Sequence, residues 1–169
     1  MLRHELTPFR HIIEQFEPQS KLLDARPLAG GISAQVTLLE VQQADGHIQK
    51  MIVRQHGARD LQANPQIAAD EFKLLKLLQT VGIPAARPYY LDQSGAILPT
   101  PYVVVEYIEG GTEFAPQDVE GFLRQLAGYL ARLHQVELSR VDVSFLPDQR
   151  AVWTDKLRKR PIDLDTSIN

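Results

Sequence analysis

Apolar residues recur at two different periods along these 169 residues, and the switches between periods divide the chain into elements. Phe9, Ile12, Ile13 and Phe16 stand at helical spacing behind Thr7, a capping residue, and Pro8, suited to a first turn; Pro18 stops the run. After a short apolar piece and two adjacent glycines, residues 34–41 alternate, with Ala34, Val36 and Leu38 on one side. Asp45-Gly46 then marks a turn into a second alternating run, 51–56, so the two should form a hairpin. Residues 57–64 are polar and read as a loop, and 65–80 return to the helical period. Pro84 and Pro88 break that period before a short strand at 89–91. The run 102–108 is the most strand-like and apolar enough to be central in a sheet, and 109–112 form a glycine exit. From Gln117 a long helix carries Val119, Phe122, Leu123, Leu126, Leu130, Leu133 and His134 on one face; beyond Ser139 the pattern thins.

The helix at 65–80 contains a misfit. Ile67, Phe72, Leu74, Leu75, Leu77 and Leu78 fill a broad apolar arc, Lys73 and Lys76 lie opposite, and Glu71 falls inside the arc. An ionised carboxylate there is costly unless a cation meets it. Arg54 is the candidate cation, because on its strand it shares a face with Ile52 and points where a packed helix could reach. The alternative is that Glu71 reaches solvent from the edge of the stripe.

Composition narrows the class. Hydrophobic residues at 44% and charged residues at 23% describe a globular chain able to bury a core. A net charge of -3 and a pI near 5.9 give no overall attraction for nucleic acid or an anionic membrane, and the basic run 156–160 reads as solvated surface. The absence of cysteine excludes disulfides, thiolate nucleophiles and cysteine-bound zinc, and fits a cytoplasmic setting; no long apolar span or signal-peptide pattern is present.

The order of elements, with its local motifs, resembles the amino-terminal lobe of the protein-kinase-like fold, and within it the aminoglycoside phosphotransferase and choline kinase group. Leu28-Ala-Gly-Gly-Ile-Ser-Ala is similar to that group's shortened phosphate loop, and Ile52-Val-Arg-Gln-His-Gly57 to its third strand. Glu71 matches the family's acidic helix residue, and residues 82–88 its proline-bracketed approach to the fourth strand. Residues 104–110 match its adenine-binding hinge, and Leu130-Ala-Arg-Leu-His134 its helix end. The resemblance implies an α+β fold: an antiparallel sheet with packed helices over residues 1–112, then the first helix of a helical second lobe, incomplete within 113–169.

It also implies ATP as cofactor and assigns candidates for holding it. Gly30, Gly31 and Ser33 would face the phosphates, where backbone N–H groups approach oxygens that a side chain would block; two adjacent glycines are equally compatible with a plain turn. Arg54, held by Glu71, would neutralise phosphate charge in place of the family's usual lysine. Val36 and Ile52 would pack on the adenine, and Glu106, Tyr107 and Ile108 would present the hinge backbone; Glu106 also reads as an ordinary strand-end carboxylate.

A further element of the family pattern is missing. None of His4, His11, His47, His56 or His134 is followed two places later by aspartate, so the 169 residues hold no His-x-Asp-x-x-x-x-Asn catalytic loop. Asp163 and Asp165 stand too close behind His134 to serve as the family's metal-binding strand, and magnesium is expected only with the rest of a second lobe. The expectation is a nucleotide-binding lobe of a small-molecule phosphotransferase, truncated, split or excised and inactive alone. Its partner would be the missing lobe or a second copy. The rival expectation is a non-catalytic binding or dimerisation module.

Overall fold

The computed structural model describes residues 3–29 and 33–158. Helix α1 (Arg3–Phe16) leads into strands β1 (Lys21–Leu28), β2 (Ala34–Gln42) and β3 (Ile48–His56). The short helix α2 (Ala58–Ala63) and helix α3 (Ile67–Thr80) follow, then β4 (Pro88–Asp92), β5 (Tyr102–Glu106), α4 (Val119–His134) and α5 (Gln149–Arg158). The five strands form one antiparallel sheet in the order β1-β2-β3-β5-β4. The expected hairpin is present, turned at Gly46, whose φ of 87° is open to glycine without strain.

Alternation along the strands gives the sheet two apolar faces. On one, Leu22, Ala25, Leu39, Val41, Met51, Val53, Tyr102 and Val104 form a buried core under α1, which inserts Ile12 and Ile13. On the other, Val103 and Val105 meet Ala68 of α3, with Ile52, Phe72, Leu75 and Leu91 packed around them. Register confirms the shared face: Arg54 lies opposite Val36 on β2 and Val103 on β5, and Ile52 opposite Leu38 and Val105.

Three local expectations need correction. The first helix starts at Arg3 and carries Pro8 inside, so Thr7 is not its cap. Residues 58–63 are helical, because polar side chains there still permit one and a half turns with Gly57 C=O accepting from Asp60 and Leu61 N–H. And α3 begins at Ile67, two residues later than expected, after a turn in which Asn64 Oδ1 accepts from Gln66 N–H.

Helix α4 is capped by Asp118, whose carboxylate accepts from Gly121 N–H at 2.8 Å, and carries Arg132 in its last turn, where its charge complements the helix dipole. Arg132 donates to the Gly82 carbonyl in the turn after α3. None of its residues is buried: Phe122, Leu126, Leu130 and Leu133 are each about half exposed, and His134 is exposed rather than packed. The chain divides into two units, Met1–Val136 and Glu137–Asn169. In the second, Asp148 accepts from Arg150 N–H at 2.9 Å to start α5.

Beneath β4 and β5, polar groups are buried with purpose. Burial would raise the Asp92 carboxyl, but the Ser94 N–H at 2.7 Å and the Ser94 hydroxyl, with the Tyr102 hydroxyl nearby, outweigh it and hold it below its ordinary value. Burial, reinforced by Asp92, raises Tyr102; burial also raises Tyr89 and Tyr90. Asp92 is therefore bound as its anion, and its contribution to stability is present above its unfolded value of about 4 and is lost as pH falls through the lower folded value. The tyrosines are bound neutral, so their contribution is complete below about pH 10 and is lost as pH rises through the folded values. Denaturant midpoints measured across pH should fall on both sides, and Asp92→Asn should flatten the acid limb and cost about 1 kcal/mol at neutral pH.

Candidate functional site

The site grows from the face of β3 that meets α3. Residues 52, 54 and 56 share that face by strand parity, and Ala68, Glu71, Phe72 and Leu75 form the stripe of α3 turned toward it. Glu71 is thereby carried to the sheet with its side chain only 19% exposed. Its Oε1 accepts from Arg54 Nη1 at 2.9 Å, so the expected pair forms and the solvent-seeking alternative does not. Its Oε2 lies 2.8 Å from Nε2 of His56, a side chain 5% exposed. Because an ionised carboxylate only accepts, His56 donates here. Both oxygens of an expensive buried carboxylate are thus satisfied, one by a cation and one by an imidazole.

The guanidinium of Arg54 is not consumed by this pair. It is 41% exposed on its side chain, makes one hydrogen bond among the described residues, and keeps a buried Nε with no partner. Around it stand Val36 across the β2–β3 ladder and Ile52 one step down β3, both half-buried. Toward β5 the expected hinge follows. Glu106 N–H donates to Arg87 C=O at 2.8 Å while its carboxylate accepts from Arg87 N–H at 3.1 Å, which is the ordinary strand-end use of that side chain. Tyr107 N–H reaches Lys50 C=O at 3.4 Å, and Lys50 Nζ lies 5.5 Å from the centre of its ring. Ile108 is 63% exposed, and its N–H engages no described acceptor.

At the opposite end of β3, Gly57 N–H donates to the Ser33 carbonyl at 2.8 Å, which ties the last residue of the glycine turn to the strand that carries Arg54 and His56. A small cleft of about 270 Å³ lies there, lined by Ser33, Gly57, Ala58, Arg59 and Asp60. Gly30 and Gly31 lie outside the described residues, as do Asp163 and Asp165. Among the described residues no cluster of three His, Asp or Glu side chains could hold a metal, and no helix is long and apolar enough to cross a membrane.

Of the expected residues, then, the structure brings Arg54, Glu71, Val36 and Ile52 to one face and sets Glu106–Ile108 at the end of β5. The residue missed was His56. Its parity with Ile52 and Arg54 was a usable signal.

A family model for the phosphotransferase enzyme family matches residues 24–166. The chain belongs to that family. A candidate aminoglycoside phosphotransferase from Ralstonia eutropha superposes with a TM-score of 0.68 at 13% identity, over 94% of this chain and 48% of its own. The GDP and kanamycin complex of APH(2″)-IIia superposes with a TM-score of 0.62 at 16% identity, over 96% of this chain and 55% of its own. At these identities the likeness is one of fold: the sheet and its helices are the amino-terminal lobe of the kinase-like fold, as the motifs led us to expect. The chain spans about half the length of the structures it matches. No curated protein sequence matches it.

Gly57 offers a test of how tightly the turn is tied to β3. A Cβ there would stand 2.8 Å from the Ser33 carbonyl oxygen, whereas one at Gly128 on α4 meets nothing within 4 Å. Gly57→Ala should destabilise by about 1–3 kcal/mol and shift the Ser33 amide resonance. Gly128→Ala should stabilise by up to about 1 kcal/mol. Thermal melts and amide spectra of the two variants check both.

Proposed function

We infer that the chain is the nucleotide-binding lobe of an ATP-dependent small-molecule phosphotransferase. The observation that carries this reading is the Arg54–Glu71 pair at 2.9 Å, with a half-open guanidinium on the same sheet face as Val36 and Ile52. A cation fixed in direction by a buried carboxylate neutralises phosphate charge without reorganising when ligand arrives. Arginine can do this as lysine does, keeping its charge at every accessible pH and offering several donors. In this reading Val36 and Ile52 take the apolar faces of the adenine. Ile108 N–H, with the Glu106 carbonyl and the backbone at Tyr107, meets its polar edge, and Gly30, Gly31 and Ser33 face the phosphates. The partly exposed guanidinium of Arg54 and the uncommitted Ile108 N–H fit such a ligand.

The GDP held by the superposed APH(2″)-IIia complex makes a purine nucleotide the natural probe. With no His-x-Asp-x-x-x-x-Asn in the sequence, binding rather than transfer is the activity proposed for these 169 residues in a cytoplasmic setting, and magnesium should add little to it. One wall of a cleft buries only part of a ligand, so calorimetric titration with ATP should give a Kd of about 0.1–1 mM. Glu71→Gln should weaken it more than Lys73→Gln, on the exposed side of α3. Equal effects, or phosphoryl transfer by the purified chain to aminoglycosides, choline or amino alcohols, would sink the reading.

The apolar stripe of α4 favours a second reading, a binding surface. Phe122, Leu126 and Leu130 are each about half exposed, and we expect a second copy of the purified chain to cover this stripe. We expect light scattering over a dilution series to reveal a dimer; a monomer at high concentration refutes it.

A further inference from the structure

The geometry around Glu71 points to a role for His56. We propose that His56 is a positioning residue that holds the second oxygen of Glu71, so that Arg54 is gripped at one point and keeps its remaining donors for an anionic ligand. This rests on the nucleotide-binding reading above and adds a residue to it.

Arginine facing a carboxylate ordinarily closes as a fork, two parallel N–H donors onto two oxygens. Here it does not: one nitrogen, Nη1, meets one oxygen, Oε1, at 2.9 Å. The departure leaves the Arg54 Nε buried without a partner, a state that costs free energy and that a fork through Nε would relieve. What stands against the fork is the imidazole. His56 Nε2 is 2.8 Å from Oε2, and its side chain, 5% exposed, is held at the end of β3 next to Gly57, itself tied to Ser33. Each carboxylate oxygen can accept two bonds, so the ring acts through direction: it sets the rotation of the carboxylate, and with it the angle at which Oε1 and Oε2 meet the guanidinium.

A lysine would need no such device, since its ammonium cannot form a planar fork. The pairing of an arginine at 54 with a histidine two residues on, on the same strand face, thus has a chemical logic. The guanidinium is restrained to the single contact an ammonium would make, and the Arg54 side chain remains 41% exposed.

The test is a double-mutant cycle on the full 169-residue chain, read with ATP and with inorganic tripolyphosphate as probes. His56→Leu should weaken binding about five- to tenfold, because Arg54 closes on Glu71, and His56→Gln, which retains a side-chain N–H donor, should recover most of it. In an Arg54→Lys background His56→Leu should cost nothing further. A purely structural role for His56 predicts the same loss in both backgrounds, and that result overturns the proposal. A readout without nucleotide keeps it separate from the functional reading: in His56→Leu the Arg54 guanidinium Nε–H resonance should shift and gain exchange protection as the fork forms. An unchanged guanidinium spectrum overturns the role of His56. If Arg54→Ala leaves ATP affinity unaltered while the guanidinium shift in His56→Leu appears, the nucleotide reading falls and the restraint on Arg54 stands.

Discussion

A carboxylate carried to the surface of a sheet is the constraint around which this lobe is arranged. Glu71 could not sit four-fifths buried on α3 without donors for both oxygens, and the sheet supplies them from alternate positions of a single strand. That requirement fixes more than one pair. It sets the rotation of α3 about its axis and demands small residues where the helix comes nearest. Ala68 and Ala69, fully and almost fully buried, meet that demand, while the larger Phe72 and Leu75 pack at the margins. A bulkier residue at 68 would lift the helix and break both contacts to Glu71 at once.

The opposite face answers a different need. There α1 contributes Ile12 and Ile13 to a core that is aliphatic apart from Met51 and Tyr102. Phe16 stacks on Tyr90 at 5.4 Å, and a polar chain runs from Glu17 through Gln43 and Gln49 to the Tyr89 hydroxyl, closing the seam between helix and sheet. One face of the sheet is therefore spent on stability, which leaves the other to tolerate a partly exposed cation, an unpaired nitrogen and half-buried aliphatics. Such features are affordable only on a scaffold held elsewhere.

Much of this was legible in the sequence because it is written in periods. Glu71 announced itself by falling within an apolar arc, and Arg54 by strand parity with Ile52. The hairpin was readable from alternation and the central strand from its unbroken apolar run over 102–108, which the structure ends at Glu106. The short helix at 58–63 was not, because a single polar turn and a half has no apolar face to reveal it and depends on the Gly57 carbonyl for its start. The extent of α1 was hidden by Pro8, which reads as a helix start yet is accommodated within the helix. His56 escaped because a lone histidine carries no period of its own. Its meaning depends on α3 arriving from fifteen residues downstream with a second carboxylate oxygen to fill.

The strand order has a consequence in time as well as in space. β1, β2 and β3 pair with sequence neighbours and can zip as a meander, but β5 must slot between β3 and β4 after α2, α3 and β4 have been passed. Closing that loop costs chain entropy before any contact repays it, so pairing of β3 with β5 belongs to the later events of folding. Glu71 lies inside the loop being closed. An early meander would present Arg54 and His56 on an exposed sheet face with no carboxylate between them until α3 docks. Among the described residues the Glu71 carboxylate touches β3 alone, so the cluster joins α3 to the early meander across the segment that β5 must later close.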